Sequence, residues 1–331
     1  MTQENHSKME QILSKIKEYN RIILTRHIWP DGDAIGSSKG LAEILRSTFP
    51  QKEIYVQSND SSEYLSFLGP DDAPIDPELY KDSLCIILDT SNEERISNSY
   101  YKTAKEIIKI DHHVDATPFG DISWVEDQRS SASEMVALFY QTFQSELKIT
   151  KEAARYIYTG IVTDSGRFRY ESTKGETLRL ASILLDVGID TEEIYSNLYL
   201  KDFDNFKFQS YVYDKLKMTE NGVVYIFVDS EMKKKFNLSN EKAGDVISLI
   251  TEIKKCIVQL AFIQLEDGKV RIRLRSRYVP IRELAQKYGG GGHEFASGAV
   301  INDQSEIQKV VEDADQIIAE FKENHKNKIF I

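Results

Sequence analysis

Four short segments hold most of the side chains able to do chemistry. They are Arg26-His27-Ile28-Trp29-Pro30-Asp31-Gly32-Asp33, Asp89 at the end of LCIILD, Asp111-His112-His113 at the end of EIIKID, and Asp164 within VTDSGRF. A strand-end aspartate taken singly usually makes a turn or caps a helix. In HxxPDxD, however, Pro30 and Gly32 fix a tight turn that throws His27, Asp31 and Asp33 the same way. Adjacent imidazoles straight after a buried strand are costly unless they ligate or hydrogen-bond. Mixed imidazole and carboxylate donors suit a divalent ion of intermediate hardness, and the absence of a cysteine cluster argues against structural zinc. His27, Asp31, Asp33, Asp89, His112 and Asp164 are enough for two ions, with one aspartate to bridge. Manganese is the expected metal, with magnesium or cobalt as substitutes. Two such ions ~3.5–4 Å apart activate water and steady the attacking and leaving oxygens of phosphoryl transfer.

A second group lies near the end of the chain, in KYGGGGHEFASG over 287–298. Its glycine run, which includes Gly290, Gly291 and Gly292, is expected to exclude regular helix or strand. Bare backbone N–H groups there can cradle a phosphate, with His293 as a further donor; the plain alternative is a flexible hinge. In KVRIRLRSR, Arg271, Arg273, Arg275 and Arg277 alternate with Val270, Ile272 and Leu274, which predicts four guanidiniums on one strand face. No acidic partner is evident beside them, so phosphates are their natural partners; a charge-guarded edge strand is the alternative.

These groups need a scaffold. Helical periodicity covers 9–19 and then 36–46, with strands at 21–25, 53–57, 84–89 and 106–111. Strands alternating with helical segments imply βαβ units, a parallel sheet and an α/β fold, in which ligands bind beyond the carboxyl ends of the strands. Helices follow over 131–147, opened by a Ser131-x-x-Glu134 capping box, and over 150–164. Residues 173–216 read as helix upon helix. Strands at 222–229, 257–267 and 269–277 follow, the last two joined by a tight Asp267-Gly268 turn. The domains expected are 1–185, a helical linker 186–216, and a smaller mixed-sheet α/β domain 217–331. The final HKNKIFI reads as a frayed end.

With 331 residues, 41% hydrophobic and 29% charged, the chain can bury a sizeable core. The N-terminal stretch is polar, no apolar run approaches the ~20 residues needed to span a bilayer, and Cys85 and Cys256 read as buried thiols, so a cytoplasmic protein without a membrane partner is expected. A net charge of −11 opposes binding to long duplex nucleic acid, while leaving room for a small anionic substrate.

In their order and spacing, HIWPDGDAIGS, ILDTS, IDHHVD, VTDSGRF and GGGGHEFASG resemble the DHH phosphoesterase superfamily over essentially the whole chain, and the nanoRNase/pAp-phosphatase branch in particular. The resemblance implies a Rossmann-like catalytic domain, a helical linker and a DHH-associated substrate domain. It implies that His27 and Asp31 hold one metal, that Asp33, His112 and Asp164 hold the other, and that Asp89 bridges them. His113 would face the reacting phosphate, and Arg275, Ser276, Arg277, Gly290, Gly291, Gly292 and His293 would hold the distal nucleotide. This chain departs from the family pattern at Trp29, at Ser297, where alanine is commoner, and at Arg273, where a small residue is frequent.

The expected activity is hydrolysis of short 5′-phosphorylated oligonucleotides (nanoRNA, pApA) to nucleoside monophosphates, with 3′-dephosphorylation of pAp as a second reaction. Linear dinucleotides from cyclic di-AMP turnover are natural candidates, and a homodimer is left open. The alternatives are a DHH-type inorganic pyrophosphatase, whose second domain resembles neither the glycine run nor the arginine strand, and a nucleotide sensor with a decayed metal site, which six intact ligands oppose.

Overall fold

A computed structural model describes residues 2–113, 119–200, 202–251 and 253–325. Val114 and Asp115 of IDHHVD, and residues 326–331 of the tail read as frayed, lie outside the described residues. The chain forms two compact units, Met1–Leu200 and Lys201–Ile331. The helices expected as a linker over 186–216 are therefore shared between the units.

In the first unit, α1 (Gln3–Glu18) buries Met9, Ile12, Leu13 and Ile16, one face at helical spacing. Then come β1 (Arg21–Thr25), α2 (Gly32–Thr48), β2 (Glu53–Val56), β3 (Leu84–Leu88), β4 (Glu106–Asp111) and β5 (Ile122–Val125). The sheet is parallel, in the order β2-β1-β3-β4-β5. All five residues of β3 are buried, the all-apolar pattern of a strand covered on both faces. Because β1 pairs with β2 on one side and β3 on the other, the chain reverses direction across the sheet here, and a crevice opens beyond the carboxyl ends of β1 and β3. Of the strands in this sheet, β5 alone was not foreseen from sequence: four residues at the sheet edge, mostly half-buried, carry too little periodic signal.

Four helices complete this unit: α3 (Ala132–Thr142), α4 (Lys151–Asp164), α5 (Gly175–Asp186) and α6 (Thr191–Tyr199). Helix α2 begins at Gly32 rather than Gly36, because Asp31 caps it by accepting from the amides of Asp33 and Ala34, both at 3.0 Å. Helix α3 ends at Thr142, short of the expected 147. Half of its capping box forms. Ser131 Oγ accepts from Glu134 N at 2.9 Å, whereas the Glu134 carboxylate turns to Ser130 and Thr177 Oγ1. Helices α2 and α4 cross at glycines: a Cβ on Gly36 would stand 2.6 Å from the Tyr156 carbonyl oxygen and 2.9 Å from Gly160 N, while one on Gly160 would stand 2.0 Å from Ser133 Oγ of α3.

The second unit runs α7 (Phe203–Lys215), β6 (Lys217–Met218), β7 (Val223–Val228), α8 (Ser230–Lys235), α9 (Asn240–Gly244), α10 (Val246–Leu249), β8 (Val258–Gln264), β9 (Val270–Ser276), α11 (Arg282–Lys287), β10 (Gly291–His293), β11 (Ala296–Ile301) and α12 (Ile307–Asn324). Its mixed sheet has the order β10-β11-β9-β8-β7-β6. One face packs Leu260, Phe262, Ile272 and Leu274 against Val310, Ala314 and Ile318 of α12. The other packs Val224, Ile226 and Ala261 against Val212, Met232 and Val246. Each such fully buried aliphatic side chain contributes about 1.5–3 kcal/mol.

Two expectations are corrected here. The glycine run does not escape regular structure, since Gly291 and Gly292 pair with Gly298 and Ser297 in an antiparallel ribbon. Main-chain hydrogen bonds suffice to hold a strand that has no side chains of its own to pack. The turn between β8 and β9 has three residues rather than two: Leu265 N donates to Lys269 O at 2.7 Å, which encloses Glu266, Asp267 and Gly268. Gly268 takes the left-handed position, at φ 85.

Candidate functional site

The crevice beyond β1 and β3 collects all six groups singled out as metal ligands. His27 follows β1, Asp31 caps α2 and Asp33 sits in the first turn of α2; Asp89 follows β3, His112 follows β4, and Asp164 ends α4. Their donor atoms fall into groups that could hold metal ions, His27/Asp31/Asp89 and Asp33/His112/Asp164, with Asp89, His112 and His113 forming a third; within each group the atoms lie within 4.8 Å of one another. His27 Nε2 stands 3.4 Å from Asp89 Oδ2 and 3.8 Å from Asp31 Oδ2. His112 Nε2 stands 3.4 Å from both Asp89 Oδ1 and Asp164 Oδ2, and 3.7 Å from Asp33 Oδ2. Such spacings are long for hydrogen bonds. They approach the ~3.0–3.4 Å between ligands that each lie ~2.1 Å from one ion at near-tetrahedral or octahedral angles.

Three observations fit a cation. His27 Nδ1 lies 2.8 Å from the Ile28 carbonyl oxygen, so Nδ1 donates there and Nε2, beside the Asp31 and Asp89 carboxylates, is left to bind a cation together with them, the usual second contact of a ligating histidine. Asp89 Oδ1 is buried and makes no hydrogen bond, a costly state unless an ion occupies its lone pairs. Asp89 also holds φ 52, which only Asn, Asp and Gly adopt readily; its amide is pinned at 3.0 Å to Ile110 O.

The local electrostatics point the same way. Burial, then the neighbouring Asp89 and Asp164 carboxylates, push the Asp33 carboxyl well above the usual range. Burial also raises Asp164, to about 6, with Asp89 and Asp31 adding to it against His112. Burial alone would lower the two imidazoles, yet the carboxylates outweigh it: Asp31 and Asp89 push His27 up to about 10, and Asp89 and Asp33 do the same to His112. Crowded acids that retain protons, and imidazoles that acquire them, are how a cation cage behaves when protons stand in for metal.

Sequence reasoning left two supports unassigned. Asp111 is fully buried, and its Oδ1 lies 2.8 Å from His113 Nδ1, which fixes the ring and commits that nitrogen; the Asp-His-His triplet spelled this contact, but an i, i+2 turn was needed to make it. The amides of Ala132 and Ser133, at the start of α3, donate to Asp33 at 2.7 and 2.8 Å. Only the cap residues of α3 hinted at these contacts. After Asp164, the chain makes a left-handed turn at Gly166, Arg167 and Phe168, with φ of 56, 63 and 62, at a cost of about 1–2 kcal/mol for each non-glycine residue.

In the second unit the arginine strand and the glycine run come together, as neighbours of β11. Across β9, β11 and β10, Arg275 aligns with Ala296 and His293, and Arg273 aligns with Gly298 and Gly291. Arg271, Arg273, Arg275 and the glycines 289–292 border a groove of about 500 Å³, which His293 does not line. Gly290 and Gly292 permit a close backbone approach: added Cβ atoms would stand 2.1 Å from Gly298 O and 2.7 Å from Ala296 O. The four-arginine face is corrected in two respects. Arg273 has an acidic partner, Asp245, at 3.4 Å, and it packs over Gly244, whose Cβ would meet the guanidinium at 2.4 Å. Arg277 lies beyond the end of β9 and donates to Thr251 O. Ser276 Oγ accepts from Val279 N at 3.1 Å and so shapes the turn after β9.

Known proteins share both units. Residues 21–161 match the N-terminal domain of the DHH family, and residues 209–320 match the DHHA1 domain. The chain is 35% identical to the bifunctional oligoribonuclease and PAP phosphatase NrnA of Bacillus subtilis, over 94% of this chain and 98% of that protein. It is 39% identical to a probable NrnA of Streptococcus mutans, over 87% and 92% respectively. A crystal structure of an exopolyphosphatase-related protein from Bacteroides fragilis superposes with a TM-score of 0.78 at 26% identity, covering 97% and 98% of the two chains. The chain belongs to the DHH family of metal-dependent phosphoesterases, in the NrnA branch with a DHHA1 domain.

Proposed function

We propose that this protein hydrolyses short 5′-phosphorylated oligonucleotides such as pApA to nucleoside monophosphates, and removes the 3′-phosphate of pAp. The observation that carries the proposal is Asp89, buried, without a hydrogen bond on Oδ1, and shared between the donor groups. Oligoribonuclease and PAP phosphatase are the activities named for relatives that match nearly the whole chain.

In this proposal two divalent ions, manganese by preference, would be held by His27, Asp31 and Asp89 and by Asp33, His112 and Asp164. The bound metals supply a water of lowered pKa and offset charge on the phosphoryl oxygens. The protein's own residues do the rest. Asp33, tied to the start of α3, and Asp31, capping α2, hold the acids in place before substrate arrives. His113, oriented by Asp111, donates to a phosphoryl oxygen as charge develops. Arg275, Ser276, Arg277, Gly290, Gly291, Gly292 and His293 bind the distal nucleotide; the arginine and glycine backbone of the groove, rather than Arg273, supply its anion contacts. The net charge of −11 favours short substrates over long nucleic acid.

The test is purified protein with manganese, given pApA, longer RNA, pAp, cyclic di-AMP and pyrophosphate in parallel. Release of AMP from pApA as the preferred reaction is expected. Pyrophosphate as the only good substrate would overturn the proposal in favour of a pyrophosphatase.

A further inference from the structure

Beside the Asp164 corner, the first unit carries a surface that the metal centre does not use. The left-handed turn after Asp164 anchors Phe168 inward, 6.1 Å between ring centroids from Tyr158, and leaves Arg167 exposed. The Arg167 guanidinium lies over the Tyr199 ring, 4.6 Å from its centroid, and it has no carboxylate within ion-pairing distance among the described residues. Tyr170 packs over Gly166, whose Cβ would lie 2.4 Å from the ring, yet remains 58% exposed. Tyr64 is 57% exposed and is tied by its hydroxyl to Leu198 O at 2.7 Å. Arg167 over Tyr199, Tyr64 tied to the residue before Tyr199, and Tyr170 packed on the residue before Arg167 bring the four residues into one neighbourhood.

We infer that Tyr170 and Tyr64, with Arg167 held over the Tyr199 ring, form a stacking subsite for a further nucleotide of an oligonucleotide whose scissile phosphate lies at the metal centre. Open aromatic faces beside an unpaired guanidinium are the combination that binds single-stranded nucleic acid with little regard to sequence, through ring-on-base stacking and one phosphate contact. Arg167 is three Cα steps from Asp164, at most ~11 Å along the chain, so the subsite is continuous with the reaction centre. It rests on the function proposed above and adds to it: the catalytic unit itself prefers chains longer than a single nucleoside bisphosphate. The strained turn then has a purpose, since it reverses the chain so that Phe168 enters the core while Arg167 faces out.

The readout is the ratio of kcat/KM for pApApA to that for pAp, measured with manganese. Arg167→Ala and Tyr170→Ala should each lower this ratio about 5- to 100-fold, mainly through KM for pApApA, the range of a lost stacking or cation contact. Tyr170→Phe should keep it, because the ring stacks and the hydroxyl does not. The manganese-induced thermal shift of each variant reports an intact fold and metal centre. A ratio unchanged in both alanine variants overturns the subsite and leaves the function standing. A ratio lost equally in Tyr170→Phe overturns it too, since that marks a structural tyrosine. A wild-type protein that turns over pAp or pyrophosphate but no oligonucleotide refutes the proposed function, and the subsite with it.

Discussion

Replacing Asp89 with asparagine strikes the centre of the proposed mechanism without disturbing its frame. At φ 52 the residue occupies the left-handed region, which asparagine tolerates and alanine does not, so Asp89→Asn removes charge while keeping the backbone. An ion that binds only the folded chain adds about 2.7 kcal/mol at a hundred times its dissociation constant, hence about 5 kcal/mol for two. At ~2–4 °C per kcal/mol for a unit of this size, saturating manganese should raise the Tm of the first unit by about 10–20 °C. Loss of an outer partner of a ligand already weakens metal sites about 10–100-fold, and Asp89 belongs to more than one donor group. A hundredfold weakening at both sites leaves about 0.4 kcal/mol each at the same metal concentration, and the shift shrinks to about 2–3 °C. Turnover of pApA should fall on the order of a thousandfold. Scanning calorimetry with and without manganese, metal analysis after desalting, and AMP release measure the three quantities. An Asp89→Asn protein that keeps both the full thermal shift and two equivalents of metal would refute the dinuclear arrangement.

Three further outcomes are expected. His113→Ala should retain the manganese-induced thermal shift while kcat for pApA falls about 10²–10³-fold; disappearance of the shift would make His113 a ligand instead. In the metal-free protein, His27 and His112, raised to about 10, contribute stability that is complete below the unfolded value of about 6.5 and is lost as pH climbs towards 10. With a chelator present, Tm should therefore fall between pH 7 and 10, and manganese, replacing the two protons, should flatten the profile; a flat chelated profile contradicts the cage. Arg275→Ala should raise KM for pApA about 5- to 100-fold with little change in kcat, because it touches the distal nucleotide and not the reacting phosphate; a fall in kcat alone would place Arg275 in the chemistry.

Much of the catalytic unit could be read from residues. RIILT is the whole of β1, and EIIKID is the whole of β4, because runs of branched aliphatic residues closed by a polar terminus leave little else for the backbone to do. The donor groups were legible for the same reason: each stands at a strand or helix end that the apolar pattern announces. What stayed hidden is long-range. The hold of Ala132 and Ser133 on Asp33 spans about a hundred positions, and the partnership of Arg273 with Asp245 depends on the turn between α9 and α10. The glycine run misled because side-chain patterning says nothing about a strand built from main-chain hydrogen bonds alone, and β5 is too brief to show a period.

The bare crossing of α2 and α4 has a consequence for how the centre meets its ions. Asp33 starts one of these helices and Asp164 ends the other, and backbone against backbone at Gly36 and Gly160 lets the two helices lie closer than larger residues would allow. Burial and crowding thus raise the affinity of both carboxyls for protons in the metal-free protein. A cation that enters displaces those protons, so the grip of the centre on metal should strengthen as pH rises.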